Sequence, residues 1–372
     1  MATTCAIMGH MGDVPTLYGL KNTNRDFSVK DDWGKNVFNN AFPVSLLCYM
    51  FSKNINPVYL SIDEQAGNVF HSKISTKDVF AKDPSDDNLF FAFEHQFSPY
   101  ETLVSSSLPR IDLVISQVRD NLLDDVLRGI EIKLTAVPNN STAEAKKGDQ
   151  SAEIVVRPDT IVYIALSIAR NFIKDRNELS KYLVITGDKI KDWNEPAEVA
   201  PLMNEISNSL RDLLQSTAGL QEPLLLQPIW RTAGKSLQLE DNCLDAFVWS
   251  DYAMARLFID NSDNNSSYKI TRSARSTIWL FKMLYDYVKL GKINHSATIR
   301  NINFGSQTDK AFAMSGVKTI NYLRSDELLN PRITKNELKN IILGGGHKML
   351  SPERRFDAAI MSNASIFEDK KL

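Results

Sequence analysis

The apolar positions along the chain follow two kinds of pattern, one typical of strands and the other typical of helices. Short apolar runs that end at turn residues are typical of buried strands, and a period of three to four is typical of helices. The predicted strands are 57–62, 110–116, 129–137, 182–186 and 223–230. The predicted helices are 42–51, 159–172, 197–216, 272–290 and 335–342. This interleaving predicts an α/β fold with a mixed central sheet flanked by helices. Residues 1–40 are rich in Gly, Asn and Asp and are predicted to be irregular.

Charge is distributed unevenly along the 372 residues, although the net charge is only −2. Residues 266–372 contain 18 basic and 9 acidic side chains, whereas residues 1–265 contain 25 and 36. A basic, mostly helical C-terminal region suits a polyanionic partner, but solvated helices with basic faces have the same composition. We therefore expect an N-terminal region (1–95), a core (96–265) and a basic C-terminal region (266–372).

Several classes of protein are disfavoured by what the sequence lacks. No apolar run is long enough to cross a bilayer, and the N-terminus has no secretory pattern. The cysteines, histidines and glycines form no zinc, nucleophile or phosphate-loop pattern. The three cysteines are Cys5, Cys48 and Cys243. A cytoplasmic protein without a nucleotide cofactor is expected.

The strongest chemical signal lies on two neighbouring predicted strands. Asp112 follows Pro109 in the first strand, and Glu131 and Lys133 flank an apolar residue in the second. Residues i and i+2 of a strand project to the same face, and pairing of the strands would bring Asp112 alongside them. Two close carboxylates can hold Mg²⁺, which prefers oxygen ligands, and Lys133 can orient or help deprotonate an attacking water.

The Glu-x-Lys pattern is specific only in this context. It occurs four times, but only the pair at 131 and 133 lies in an apolar strand that follows a second strand with an embedded Asp. The alternative is an edge strand with solvated charges. Glu101 offers a further carboxylate, although with Ser98 and Pro99 it also fits a helix start closed by a capping box, which is the simpler interpretation.

These residues resemble the PD-(D/E)XK nuclease motif, with a looser spacing between Pro109 and Asp112. Longer runs resemble the HindVP/HgiDI family of type II restriction endonucleases. The runs are GIEIKLTAVPN, EIVVRPDTIVYIALSIARNF, LLLQPIWRTAGKS, DAFVWSD and GSQTDKAFAMSG. The resemblance spans about Glu101 to Gly316. It implies a restriction-endonuclease-like core, cleavage of double-stranded DNA at GRCGYC, and a cognate methyltransferase in the same system.

A palindromic target has two-fold symmetry, so a homodimer is expected, with each subunit cutting one strand. Two alternatives stay open. One is another nuclease on the same core, such as a repair or junction-resolving enzyme. The other is a non-catalytic DNA-binding protein that carries an apolar strand ending in Glu-Ile-Lys.

Four basic residues are predicted to contact DNA, and for a fifth, Arg157, a phosphate contact stays open. Arg231 and Lys235 leave a predicted core strand, where a guanine or a phosphate could be bound. Arg272 and Arg275 lie near one face of a predicted helix and could follow phosphates, although a solvated face fits as well. Glu153 and Arg157 precede the helix after the Glu131 strand. A phosphate contact is one interpretation of this pair, and a surface ion pair is the simpler one.

Overall fold

The computed structural model describes nine segments of the chain, and every structural statement below concerns these segments. They are residues 22–24, 35–119, 122–133, 135–138, 154–232, 239–262, 270–305, 312–314 and 330–337. The predicted loop 141–150 and the glycines at 344–346 lie outside them. Of the helix predicted at 335–342, only residues 335–337 are described, and they are helical.

A nine-stranded mixed sheet forms the centre of the molecule. Its strands are β1 (Val58–Ile62), β2 (Val69–Lys73), β3 (Leu89–His95), β4 (Ile111–Arg119), β5 (Leu122–Ile132), β6 (Thr135–Pro138), β8 (Pro223–Thr232), β9 (Leu239–Ser250) and β11 (Ile333–Thr334). A separate two-stranded sheet pairs β7 (Ile154–Val156) with β10 (Phe312–Met314).

The order in the large sheet is β2-β1-β9-β8-β5-β4-β3, with β6 also beside β8 and β11 beside β9. Strand β5 pairs antiparallel with β4 and parallel with β8. The predicted mixed α/β architecture is therefore confirmed. Strands β1 and β3, which precede residue 96, pair with β9 and β4, so one sheet joins the N-terminal region to the core. The domain boundaries themselves stay a prediction.

Helices cover both faces of the sheet. They are α1 (Lys35–Ser52), α2 (Thr76–Phe80), α3 (Pro158–Arg170), α4 (Arg176–Gly187), α5 (Pro196–Val199), α6 (Met203–Ser216), α7 (Asp251–Asp260), α8 (Arg272–Leu290) and α9 (His295–Asn301). Residues of α1 and α2 share one apolar core with the sheet, and those of α3, α4, α6, α7 and α8 share the other. In the described segments, no helix has the length and apolar character that crossing a membrane requires.

Two predicted elements have a different structure because apolar runs are ambiguous. Residues 182–186 form part of α4 instead of a strand. Within this helix Leu179, Leu183 and Thr186 are buried at helical spacing, while Ile185 is 73% exposed. The helix predicted over 197–216 is divided into α5, a 3-10 turn and α6, and Pro201 lies in that turn.

Two further boundaries also differ. The strand predicted over 129–137 is divided into β5 and β6. The predicted capping box is wrong: a 3-10 helix spans Ser98–Leu103, Phe97 occupies its N-cap position, and no side chain caps it. Ser98 therefore lies inside the turn and cannot act as its cap.

Candidate active site

Asp112 and Glu131 lie opposite each other on the adjacent strands β4 and β5. The antiparallel register pairs Leu113 with Ile130, and the next step along the ladder places Asp112 across from Glu131. The backbone N–H of Ile132 donates to Asp112 Oδ2 at 2.8 Å. Ile130 and Ile132 enter the core beneath α1, so Glu131 projects to the opposite face of the sheet. The structure thus brings together the two carboxylates, which we call the carboxylate pair.

Lys133 joins the carboxylate pair from the end of β5. Its ammonium group donates to Glu131 Oε1 and lies 3.6 Å from Asp112 Oδ2. Glu131 is only 5% exposed. A buried carboxylate is costly unless a cation or hydrogen-bond donors compensate its charge. Lys133, which directly follows β5, provides this compensating positive charge.

The electrostatics of the site follow from burial and from the short distances between charges. Burial, together with the negative charge of Glu131, raises the pKa of Asp112 to about 6. Burial alone would lower the pKa of Lys133, but the charges of Glu131 and Asp112 outweigh it and raise that pKa. Lys133 is therefore a cation at neutral pH.

Among the described residues, no donor contacts the second oxygen of either carboxylate, which suits a further ligand. Within the described segments, Glu131 Oε1 and Asp112 Oδ2 accept the hydrogen bonds, while Glu131 Oε2 and Asp112 Oδ1 accept none. The same segments contain no cluster of three or more His, Cys, Asp or Glu side chains that could hold a metal. Two carboxylate oxygens fit a hard cation that keeps several waters, as Mg²⁺ does.

The first two turns of α3 contact both strands of the site. Thr160 Oγ1 donates to Glu131 Oε1 at 3.1 Å. Tyr163 Oη donates to the carbonyl of Pro109 at 2.7 Å, just before β4, and accepts from the N–H of Phe97 at 3.3 Å. Sequence reasoning missed Thr160 and Tyr163. The available signal was Pro158, which starts a helix directly after the predicted strands.

Arg157 and Asp159 flank this turn. The positive charge of Arg157 lowers the pKa of Asp112, against the larger effects of burial and of Glu131. The side chain of Arg157 is exposed and forms no ion pair with any described residue. Burial, together with the charge of Glu131, raises the pKa of Asp159.

The other predicted site residues lie in different settings. Glu101 is exposed, and within the described residues its carboxylate forms no hydrogen bond or ion pair. Arg231 lies on β8, where its Nε is 2.7 Å from Glu240 Oε2. Lys235 lies outside the described residues, and Arg272 is exposed at the start of α8.

Arg275 requires a correction. It is only 3% exposed, and its guanidinium carbon lies 4.8 Å from the centre of the Trp279 ring. Its Nη1 donates to the carbonyl of Asn303 at 3.4 Å. The spacing of Arg272 and Arg275 predicted a common exposed face, but the first turn of α8 packs Arg275 inward. The structure therefore does not support a phosphate contact for Arg275.

A mixed α/β sheet with two carboxylates and a lysine on adjacent strands has the arrangement of the PD-(D/E)XK nuclease class. The profile of the HindVP restriction endonuclease family matches residues 33–367. The chain belongs to this family.

Two relatives cover almost the whole chain. The type II restriction enzyme HgiDI of Herpetosiphon aurantiacus is 45% identical over 355 residues, which cover 95% of this chain and 98% of the relative. The probable type II restriction enzyme HindVP of Haemophilus influenzae is 42% identical over 359 residues, which cover 96% of each chain. No solved structure matches the chain. The predicted family and enzyme class are confirmed.

Proposed function

We propose that this protein is a type II restriction endonuclease that hydrolyses phosphodiester bonds of double-stranded DNA with a divalent metal, Mg²⁺, at Asp112, Glu131 and Lys133. One observation carries the proposal. The carboxylate pair lies on adjacent strands beside a protonated lysine, and each carboxylate has an oxygen that accepts no hydrogen bond from the described residues.

Each of the three side chains has a separate role in this proposal. Asp112 and Glu131 would hold the metal, which when bound supplies a Lewis acid and an activated water. Lys133 keeps its positive charge because the carboxylates raise its pKa, so it acts as a cation that orients water and stabilises charge on the phosphate. The pKa of Asp112 is raised first by burial and then by the charge of Glu131, and a bound cation would favour the charged form of both carboxylates. Glu101 is proposed as an accessory carboxylate, because its side chain is exposed and has no hydrogen-bond or ion-pair partner among the described residues.

The finer features of the function rest on the resemblance to the HindVP/HgiDI family. We propose the recognition sequence GRCGYC, a homodimer that matches the two-fold symmetry of such a site, and a cognate methyltransferase that protects it. The protein would act in the cytoplasm on double-stranded DNA whose recognition sites the methyltransferase has not modified. The recognition sequence, the homodimer and the methyltransferase are more specific than the enzyme class. Each of them can be disproved without changing that class.

Contacts with DNA are proposed for exposed or strand-end cations. The charge of Arg157 acts on Asp112, and its side chain is exposed with no ion-pair partner among the described residues, which suits a contact with the phosphate that is cut. Arg231 is held by Glu240 on a rigid strand, and a base contact requires such rigid placement. Lys235 follows it in sequence, and Arg272 suits a phosphate contact at the start of α8.

Digestion of a defined plasmid with the purified protein and Mg²⁺ tests the proposal. We expect discrete fragments whose mapped ends fall at GRCGYC, and protection when that sequence is methylated. Discrete ends at another sequence would refute the recognition site but not the enzyme class. Random nicking or structure-dependent cutting would indicate another nuclease on this core, and binding without any cutting would refute catalysis.

A further inference from the structure

We infer that Thr160 is a positioning residue of the active site. Its hydroxyl holds one oxygen of Glu131 and thereby leaves the other oxygen for the metal. This inference rests on the proposed function, since it assigns a role to a residue that would not itself bind metal or DNA. The contact that carries it joins Thr160 Oγ1 to Glu131 Oε1 over 3.1 Å.

The hydroxyl of Thr160 is committed to Glu131. Thr160 is completely buried, and Glu131 is its only side-chain hydrogen-bond partner among the described residues. A buried hydroxyl without a partner is costly, so this bond is kept. By contrast, Thr277 in α8 is also completely buried but donates to the carbonyl of Ser273 in its own helix. The hydroxyl of Thr160 therefore links α3 to β5, whereas the hydroxyl of Thr277 forms a hydrogen bond within its own helix.

Two donors meet on the same oxygen of Glu131. Lys133 and Thr160 both donate to Oε1, and within the described segments neither they nor any other group donates to Oε2. A carboxylate that is fixed through one oxygen cannot rotate freely about its last bond. The second oxygen is therefore held in one orientation, and preorganised ligands bind a metal more tightly than mobile ones.

The helix that carries Thr160 is itself fixed to the site. One turn later, Tyr163 donates to the carbonyl of Pro109 at 2.7 Å, and Pro109 precedes the strand of Asp112. Thr160 and Tyr163 thus tie one helix to β5 and to the segment that leads into β4. The hydrogen bond from Tyr163 to Pro109 fixes the helix, and the helix in turn fixes the position of the Thr160 hydroxyl.

Four variants separate this role from a purely structural one. Thr160→Val removes the hydroxyl at similar volume, and Thr160→Ala removes it in a smaller side chain. Thr160→Ser keeps the hydroxyl and removes only the methyl group. Thr277→Val is the matched control, because it removes a buried threonine hydroxyl from a helix without a contact to Glu131. The readouts are Mn²⁺ binding to the metal-free protein by electron paramagnetic resonance, and the Mg²⁺ concentration at half-maximal cleavage.

We expect Thr160→Val and Thr160→Ala to weaken Mn²⁺ binding and raise the half-saturating Mg²⁺ concentration by roughly tenfold to a hundredfold, the usual effect of losing such a support. Cleavage at saturating Mg²⁺ should fall less. Thr160→Ser and Thr277→Val should behave like the wild type. Wild-type metal affinity in a folded Val or Ala variant would overturn the inference.

Three other results are informative. A Ser variant as weak as the Ala variant would overturn the inference, because the hydroxyl would then not be the cause. Unfolding of both the Val and Ala variants would also overturn it, since the bond would be structural. A wild-type protein that neither binds Mn²⁺ nor cleaves DNA would instead refute the proposed function, which is thereby distinguished from the role of Thr160.

Discussion

Two buried carboxylates, Asp251 and Glu131, accept a hydrogen bond from the same helix, α3, but differ in their other hydrogen bonds. Ser167 of α3 donates to Asp251 Oδ2 at 2.6 Å, and Thr160, two turns earlier, donates to Glu131 Oε1. Asp251 is completely buried, and Glu131 is nearly so. The difference lies in what else reaches each carboxylate.

Both oxygens of Asp251 are occupied by donors. Oδ1 accepts from the backbone N–H groups of Glu222 at 3.0 Å and Tyr252 at 2.8 Å, while Ser167 occupies Oδ2. Around Glu131, by contrast, the described donors meet on one oxygen only, and a second carboxylate lies across the ladder. A fully bonded buried carboxylate has a structural role, whereas a half-bonded one beside a second carboxylate suits an external cation.

The largest expected effect separates the two regions by activity. Asp112→Ala, Glu131→Ala and Lys133→Ala should each reduce the cleavage rate at least about a hundredfold, the scale of losing one charge contact in a transition state. Asp251→Asn should stay within a few-fold of the wild type, since its isosteric amide lies outside the site. Initial rates on a plasmid substrate measure this. A folded variant of the first group that cuts at the normal rate would remove that residue from the site.

Stability should separate the regions in the reverse direction. Asp251→Ala leaves three donors without their acceptor, Ser167 and two backbone N–H groups. Each unsatisfied group costs about 1 to 3 kcal/mol, so we expect a loss of at least about 3 kcal/mol. Asp112→Ala removes one acceptor but also relieves its repulsion with Glu131, and its unfolding free energy should change by less than about 1 kcal/mol. Urea unfolding of both variants measures the difference. Equal losses would contradict the distinction.

How much the sequence reveals differs between the two regions. Alternation along a strand predicts that Glu131 and Lys133 share one face, and the apolar run around Asp112 predicts a neighbouring strand. No local pattern indicates that Thr160 reaches back across 29 residues to Glu131, or that Ser167 reaches Asp251 across 84. These contacts depend on how α3 packs. The burial of Arg275 has the same origin, because helical spacing does not say which face packs inward.

A smaller effect concerns the pH dependence of stability. Burial raises the pKa of Asp251 to about 7 in the folded protein, above its unfolded value of about 4. Its stabilising contribution is therefore fully present below pH 4 and is lost as the pH rises through 7. The unfolding free energy of the wild type minus that of Asp251→Asn should fall by about 1 kcal/mol per pH unit between pH 4 and 7.

Urea unfolding of both proteins at pH 5 and pH 7 gives this difference directly. The Asn variant is the matched control, because it keeps the shape of the side chain and does not titrate. Parallel pH dependence of the two proteins would mean that Asp251 is charged throughout, and that its donors compensate its burial completely.

The smallest expected effect compares two arginines one turn apart. Arg272→Ala should weaken binding to specific and random DNA alike and reduce the slope of log affinity against log salt by about one. Arg275→Ala should leave that slope unchanged and lower stability instead, because Arg275 is buried against Trp279. Fluorescence anisotropy over a range of salt concentrations measures the slope. An unchanged slope in Arg272→Ala would mean that Arg272 contacts no phosphate and lies on a solvated helix face.

The most direct test of the central claim is removal and replacement of the metal. The protein is dialysed against EDTA, and cleavage of a duplex that contains the target sequence is followed with no addition, with Mg²⁺ and with Ca²⁺. We expect no cleavage without metal, full recovery with Mg²⁺, and DNA binding with little cleavage in Ca²⁺, which is larger and less demanding in its geometry. Cleavage that continues at the same rate in excess EDTA would contradict a metal held by Asp112 and Glu131.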